Sequence, residues 1–226
     1  MLPWLSAHSP ANSFPPTATA LAEPNGLLAA GGDLSVARLH YAYQHGIFPW
    51  YSEGEPLLWW TPSPRSVLLP SELRVSRSLR KRIRRGDYRV TFDTCFGEVV
   101  LACAVPRRDD SGTWIDADMH AAYLRLHLHG VAHSVECWQD DELVGGLYGI
   151  ALGSVFFGES MFSRQADASK VALATLCQMP FTLVDCQIPN PHLVSLGARD
   201  WPREQFESHL RSATRAACVN WQLPSL

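Results

Sequence analysis

Three polar side chains near the ends of apolar segments carry the best-placed chemistry in this sequence. In LVDCQIPN (183–190), Asp185 and Gln187 lie two apart on an apolar run, so in a strand they face the same side. No Lys or Arg lies within five residues of either, which argues against a simple surface ion pair. A carboxylate there can accept a proton, and an amide can orient a substrate by donating and accepting at once. The plainer alternative for Asp185 is a strand-end cap. The second acid, Glu159 in GSVFFGESMFSRQADASKVAL (153–173), ends an apolar alternation without an evident partner. If its strand neighbours 183–187, Glu159 joins the pair in one pocket wall. Cys186 alternates to the opposite face, which sets it aside as a nucleophile.

A second constellation is electrostatic. RVSRSLRKRIRRGDYR (74–89) holds eight of the nineteen Lys and Arg residues against one acid, Asp87. Arg77, Arg80, Lys81, Arg84 and Arg85 recur at helical spacing on one face, with Val75, Leu79 and Ile83 on the other. Net charge is -3, so the remaining chain is acidic and the cluster is local. Such a face suits a phosphate backbone and reads no sequence; a merely solvated helix is the alternative. Aromatic residues gather at Phe48-Pro49-Trp50-Tyr51, Trp59-Trp60 and Gly112-Thr113-Trp114-Ile115. They either pack one domain on another or stack on an unpaired base.

The six cysteines form no CxxC and read as reduced thiols. His127, His129, His133 and Cys137 crowd together in sequence but straddle a helix end and a strand, so no metal is expected. MLPWLSAHSP lacks the basic and apolar regions of a signal peptide. The uncharged apolar run 143–158 is short for a membrane span and rich in glycine. A soluble, cytoplasmic protein without membrane contact is expected.

The elements that must position these groups follow from periodicity. Residues 1–64 are rich in Pro and Gly and predict one helix, 35–45, among turns and short extended pieces: a small N-terminal domain. From 65 to 226 strands and helices alternate. Strands are expected at 65–69, 88–92, 132–138, 142–150, 154–159 and 181–187. Helices are expected at 76–85, 95–104, 118–129, 167–178, 190–196 and 202–213, the last with Pro202 at its first position. Gln139-Asp140-Asp141 marks a hairpin. The fold class is α+β, a mostly antiparallel sheet flanked by helices.

Taken together, EPNGLLAAGGDLS (23–35), GIFPWYS (46–52), WWTPSPR (59–65), GTWID (112–116), GGLYGIALGSVFFGESMFSRQADASKVAL (145–173), DCQIPNPHLVSLGA (185–198) and WPREQF (201–206) resemble the bacterial leucyl/phenylalanyl-tRNA–protein transferases. The resemblance spans nearly the whole chain in the family's order. It implies a GNAT-like acyltransferase domain behind a small N-terminal domain and no cofactor. It also implies transfer of Leu or Phe, and Met less well, from aminoacyl-tRNA to proteins beginning with Arg or Lys, which marks them for degradation by the N-end rule. Trp50 and Trp114 would hold the terminal adenosine. Glu159 would line the aminoacyl pocket, with Leu147 and Val184 among its apolar walls. Asp185 and Gln187 would serve the attacking amine, and Arg77, Arg80, Lys81, Arg84 and Arg85 would grip the tRNA backbone. Two departures stand out. Leu147 replaces a common Met of similar volume. The connection 176–185 between the helix and the DCQ strand looks several residues shorter than usual, with Pro180 inside it, so no pocket residues are carried over from that connection.

Two other classes compete. An acetyl-CoA-dependent N-acetyltransferase needs a glycine-bearing turn at a helix N-terminus for its pyrophosphate. Here that turn is Arg164-Gln165-Ala166-Asp167-Ala168-Ser169, without glycine and with an acid that suits an N-cap instead. A non-catalytic RNA-binding protein would explain the basic helix and the Trp residues but not the acid–amide pair.

Overall fold

The structure, a computed structural model, describes residues 1–52, 54–105 and 115–221. The first part of the chain runs through β1 (Trp4–Leu5), β2 (Leu27–Gly31), α1 (Val36–Gln44), β3 (Phe48–Pro49) and β4 (Leu58–Trp60). The expected turns and extended pieces thus pair into a four-stranded sheet, ordered β1-β2-β4-β3. The α1 helix starts where expected because the Ser35 side chain accepts from the Arg38 amide. It stops at Gly46, whose φ of 73° most side chains avoid.

The rest comprises β5 (Arg65–Leu68), α2 (Arg77–Arg85), β6 (Arg89–Phe92), α3 (Phe96–Ala104), α4 (Ala117–Leu128), β7 (Ala132–Gln139), β8 (Glu142–Leu152) and β9 (Val155–Ser163). It continues through α5 (Ala168–Leu176), β10 (Leu183–Gln187), α6 (Pro191–Ser195), β11 (Arg199–Trp201) and α7 (Arg203–Ala213). The strands form one sheet, β11-β5-β10-β9-β8-β7-β6. Only the β9–β10 pairing is parallel in it. The architecture is α+β, as the pattern of elements predicts. The expected strand at 154–159 is longer, reaching Ser163, so Glu159 sits inside a strand rather than at its end. Pro202 is the N-cap of α7, not its first residue.

Strand alternation divides the interior. Leu147, Phe156 and Val184 face a cluster covered by α2 and α5. Their neighbours Tyr148, Phe157 and Leu183 face a second cluster under α3 and α4. That second cluster also contains Tyr43 and Trp59, so both sheets share one core. Among the described residues, no helix is long and apolar enough to cross a membrane.

Candidate active site

The site is made by two parallel strands that stop pairing. The β9–β10 register runs from Val155–Leu183 to Phe157–Asp185 and goes no further. Just beyond, each strand is irregular on its outer side. Between β8 and β9, Gly149 faces Gly158 while Tyr148 faces Ser160, so Glu159 is the extra residue of a bulge. Between β5 and β10, Val67 faces Asp185 and Ser66 faces Gln187, so Cys186 is extra, and Gln187 takes a φ of 56°. Bulges bend a strand and re-aim its side chains. Opposite the first bulge, a Cβ on Gly149 would lie 2.1 Å from the Phe157 carbonyl oxygen, so only glycine fits. The opened seam is a cavity of about 1010 Å³. Leu147, Phe156, Met161, Leu173 and Val184 line it with apolar surface, while Glu159 and Gln187 present polar atoms.

Glu159 is the centre of the polar wall. The Tyr123 hydroxyl donates to its Oε2 at 2.5 Å, and the Gln187 Nε2 donates to its Oε1 at 3.0 Å. The Tyr43 hydroxyl lies 3.0 Å from that of Tyr123. Burial pushes the Glu159 carboxyl up to about 7, partly opposed by the tyrosine hydrogen bonds. Glu159 and Gln187 therefore meet across the splay.

Asp185 departs from expectation. No cation lies near it in sequence, yet Arg65, 120 residues earlier, pairs with it in two places. Arg65 Nε donates to Oδ1 at 2.8 Å and Nη2 to Oδ2 at 2.6 Å, with the two side chains 1% and 0% exposed. Oδ1 also accepts the Gln187 amide at 2.9 Å. Direct proton acceptance would require breaking this pair and leaving a guanidinium buried without a counter-charge. What Asp185 does in this geometry is hold Gln187 in its positive-φ conformation. Arg65 itself is clamped between the rings of Phe48 and Phe206, 4.8 and 4.6 Å from its guanidinium carbon, and donates to the Gly46 carbonyl at 3.0 Å. Arg65 escaped the sequence reading. Its only local signal is a cation heading an otherwise uncharged strand.

The other expected residues fall as follows. Leu147 and Val184 are 4% and 3% exposed and wall the cavity on the α5 side. Cys186 packs with that cluster, facing away from Asp185, and burial pushes its thiol up. Trp50 is 42% exposed and lies edge-on to Trp60 rather than lining the cavity. Its neighbour Tyr51 donates to Asp116 at 2.9 Å, which ties this segment to the start of α4. Trp114 lies outside the described residues. Arg77, Arg80, Lys81, Arg84 and Arg85 are all exposed on α2, with Arg85 bonded to Asp87 at 2.7 Å.

The turn before α5 differs from expectation in one respect. Asp167 occupies the N-cap position at a φ of 63° but makes no capping bond; its carboxylate binds Lys170 at 2.8 Å and faces Arg82 at 3.7 Å. Ser163 caps instead, accepting from the Ser169 amide at 3.0 Å. Of the His and Cys residues considered for a metal, His127 and His133 share one neighbour, Asp93, at 3.9 and 2.7 Å, while His129 and Cys137 bond backbone carbonyls elsewhere. His127 also stacks on Phe96. Among the described residues no three His, Cys, Asp or Glu side chains gather as metal ligands.

Comparison with known proteins gives the lineage. Residues 67–211 match the family model of the leucyl/phenylalanyl-tRNA protein transferase, and residues 32–63 match the model of that enzyme's N-terminal domain. A protein named leucyl/phenylalanyl-tRNA–protein transferase from Stutzerimonas stutzeri is 59% identical, over 98% of this chain and 100% of its own. Proteins of the same name from Chromohalobacter salexigens and Nitrosospira multiformis are 60% and 57% identical, each over 93% of this chain and over 83% and 91% of their own. Among solved structures, L-PGS from Bacillus licheniformis aligns with a TM-score of 0.38 and 11% identity, covering 82% of this chain and 59% of that one. Family models covering more than half of the chain, and near-complete relatives at such identity, establish that the chain belongs to the leucyl/phenylalanyl-tRNA–protein transferase family of aminoacyltransferases.

Proposed function

We propose that the protein transfers Leu or Phe, and Met less well, from aminoacyl-tRNA to the N-terminal amine of proteins beginning with Arg or Lys. The observation that carries this reading is the cavity at the β9–β10 splay, with one apolar wall and one wall of Glu159 and Gln187. Leu147 and Val184 belong to the wall that would take the apolar side chain. Trp50 and Trp114 would hold the terminal adenosine, and Arg77, Arg80, Lys81, Arg84 and Arg85 the tRNA phosphates. Glu159, one of the acids that line the cavity, would favour a cationic acceptor.

The chemistry is aminolysis of an already activated ester, so alignment of two bound substrates supplies most of the acceleration, up to roughly 7–11 kcal/mol at the ideal limit. An α-amino group has a pKa near 8, so a minority is neutral at about pH 7. Gln187 would hold that amine, and Asp185 would act through Gln187 rather than on the proton itself. The amine's proton passes to the departing ribose oxygen. No covalent enzyme intermediate and no cofactor are required. The product would be an N-end rule degradation signal, made in the cytoplasm, and the chain divides into a small domain, 1–64, and a catalytic domain, 65–226.

The acetyl-CoA reading is disfavoured by the turn before α5, which carries no glycine and where the Ser163 hydroxyl already accepts the Ser169 amide at the helix N-terminus that a pyrophosphate would need. The test is incubation with labelled Leu-tRNA and a peptide beginning with Arg. Label in the peptide supports the reading. Acetyl transfer from acetyl-CoA, or tRNA binding without transfer, would replace it with one of the two alternatives.

A further inference from the structure

Three tyrosine rings surround the buried side of Glu159. The hydroxyls of Tyr43 and Tyr123 have partners: each other, and for Tyr123 the carboxylate. Tyr148 packs edge-on to Tyr123, with ring centroids 5.2 Å apart, and edge-on to Phe96 at 5.9 Å. It is 0% exposed and it borders the cavity. Yet its hydroxyl meets no hydrogen-bond partner among the described residues. Buried hydroxyls are almost always paired, and phenylalanine would fill the same space without an orphaned polar atom. A partner that arrives with the substrate explains why a tyrosine stands here.

We propose that Tyr148 is a catalytic hydrogen-bond donor, its hydroxyl bonding the carbonyl oxygen of the donor aminoacyl ester; this rests on the transferase reading above. Two observations select that oxygen. Both carboxylate oxygens of Glu159 already accept bonds, from Tyr123 and Gln187, so they do not need the Tyr148 proton. Burial and the neighbouring Glu159 both oppose ionisation of the phenol, so it stays protonated and can donate. Tyr148 also adjoins Leu147 in β8 and points to the other side of the sheet. A substrate whose side chain lies on the Leu147 wall would have its carbonyl carbon in the seam between the two faces.

In the reaction the amine nitrogen forms a bond to the carbonyl carbon while negative charge gathers on the carbonyl oxygen. The ester C–O bond then breaks, and its electron pair leaves on the ribose oxygen, which takes the proton lost by the amine. Tyr148 keeps its own proton throughout. Its hydrogen bond strengthens as the charge grows, which lowers the barrier.

The test is Tyr148→Phe, measured by single-turnover transfer of Leu from tRNA to an Arg-initiated peptide and by thermal melting. The expected result is a roughly 100-fold slower transfer, an affinity for aminoacyl-tRNA within about 3-fold of wild type, and a melting temperature equal to or above wild type. A transfer rate within about 2-fold of wild type overturns the proposal. So does a lowered melting temperature, which would mean that the hydroxyl has a protein partner. A wild-type protein inert in the same assay overturns the transferase reading itself, and so is told apart from failure of the Tyr148 role alone.

Discussion

Arg65 and Asp185 are removed from water together, and neither charge is tolerable there without the other. Replacing Arg65 by Met should therefore destabilise the protein by about 3–5 kcal/mol, because Asp185 is left buried and unpaired. Adding Asp185→Leu should restore much of that stability. It should not restore transfer, since the Gln187 amide loses the carboxylate that fixes its positive φ. Denaturant midpoints and single-turnover rates for the two variants check this; a double variant that transfers like wild type would deny Asp185 its positioning role. Glu159 gives a second test through pH. Its folded carboxyl titrates near 7, above an ordinary value of 4.5. Between those values the unfolded chain has released the proton and the folded chain has not. Glu159 therefore lowers stability as pH rises through this window, and Glu159→Gln should flatten that part of the stability–pH profile. If the ionised form binds the acceptor, the rise in transfer near pH 7 should also vanish in Glu159→Gln, leaving only the rise of the substrate amine near 8. These residues show what sequence can and cannot reveal. Asp185, Gln187 and Glu159 stood out because polar side chains interrupt apolar runs. Arg65 did not, because the pairing that defines it crosses 120 positions and no local pattern encodes it.

At the scale of elements, α2 was legible in full because charge and apolar residues each keep helical spacing. Ser76 caps it by accepting from the Leu79 amide, Gly86 ends it at a φ of 66°, and three arginines sit in its last turn, where the helix dipole favours cations. Only Leu79 is buried, so four basic residues of the outer face can be changed without touching the core. Replacing Arg77, Arg80, Lys81 and Arg84 together by Gln should leave melting nearly unchanged. It should weaken aminoacyl-tRNA binding and reduce the slope of log affinity against log salt by about 3, each phosphate contact contributing roughly 0.7–0.9. Transfer from a short aminoacyl-adenosine donor, which lacks the tRNA backbone, should be unaffected. An unchanged salt slope would return α2 to the status of a solvated surface. The β9 strand was less legible. Its alternation breaks at Glu159, which reads as a terminus, whereas the strand absorbs the extra residue as a bulge and continues to Ser163. A bulge and a strand end look alike in sequence because both interrupt period two, and only the partner strand distinguishes them.

On the scale of the whole molecule, composition divides the chain at about residue 64, and the two sheets follow that division. The packing does not. Trp59 and Tyr43, both 0% exposed, lie in the same cluster as Tyr123, Tyr148 and Phe206. The site draws on both sides of the boundary as well: Phe48 and the Gly46 carbonyl hold Arg65, and Tyr43 supports the tyrosine that binds Glu159. A boundary in composition is a property of local sequence, whereas a shared core is set by which apolar faces meet, so the first was readable and the second was not. The consequence is testable with a fragment. Residues 65–226 made alone would expose the surface that Tyr43, Phe48 and Trp59 cover and leave Arg65 without its ring and carbonyl contacts. The fragment should therefore lack the full chain's sharp thermal transition and bind a hydrophobic dye such as ANS. Its Tyr123–Glu159 bond should loosen with the loss of Tyr43, so it should not transfer Leu even where tRNA still binds α2. A fragment that melts as sharply as the whole chain and transfers at its rate would show that the small sheet is an accessory. Loss of both properties would make residues 1–64 part of the catalytic fold.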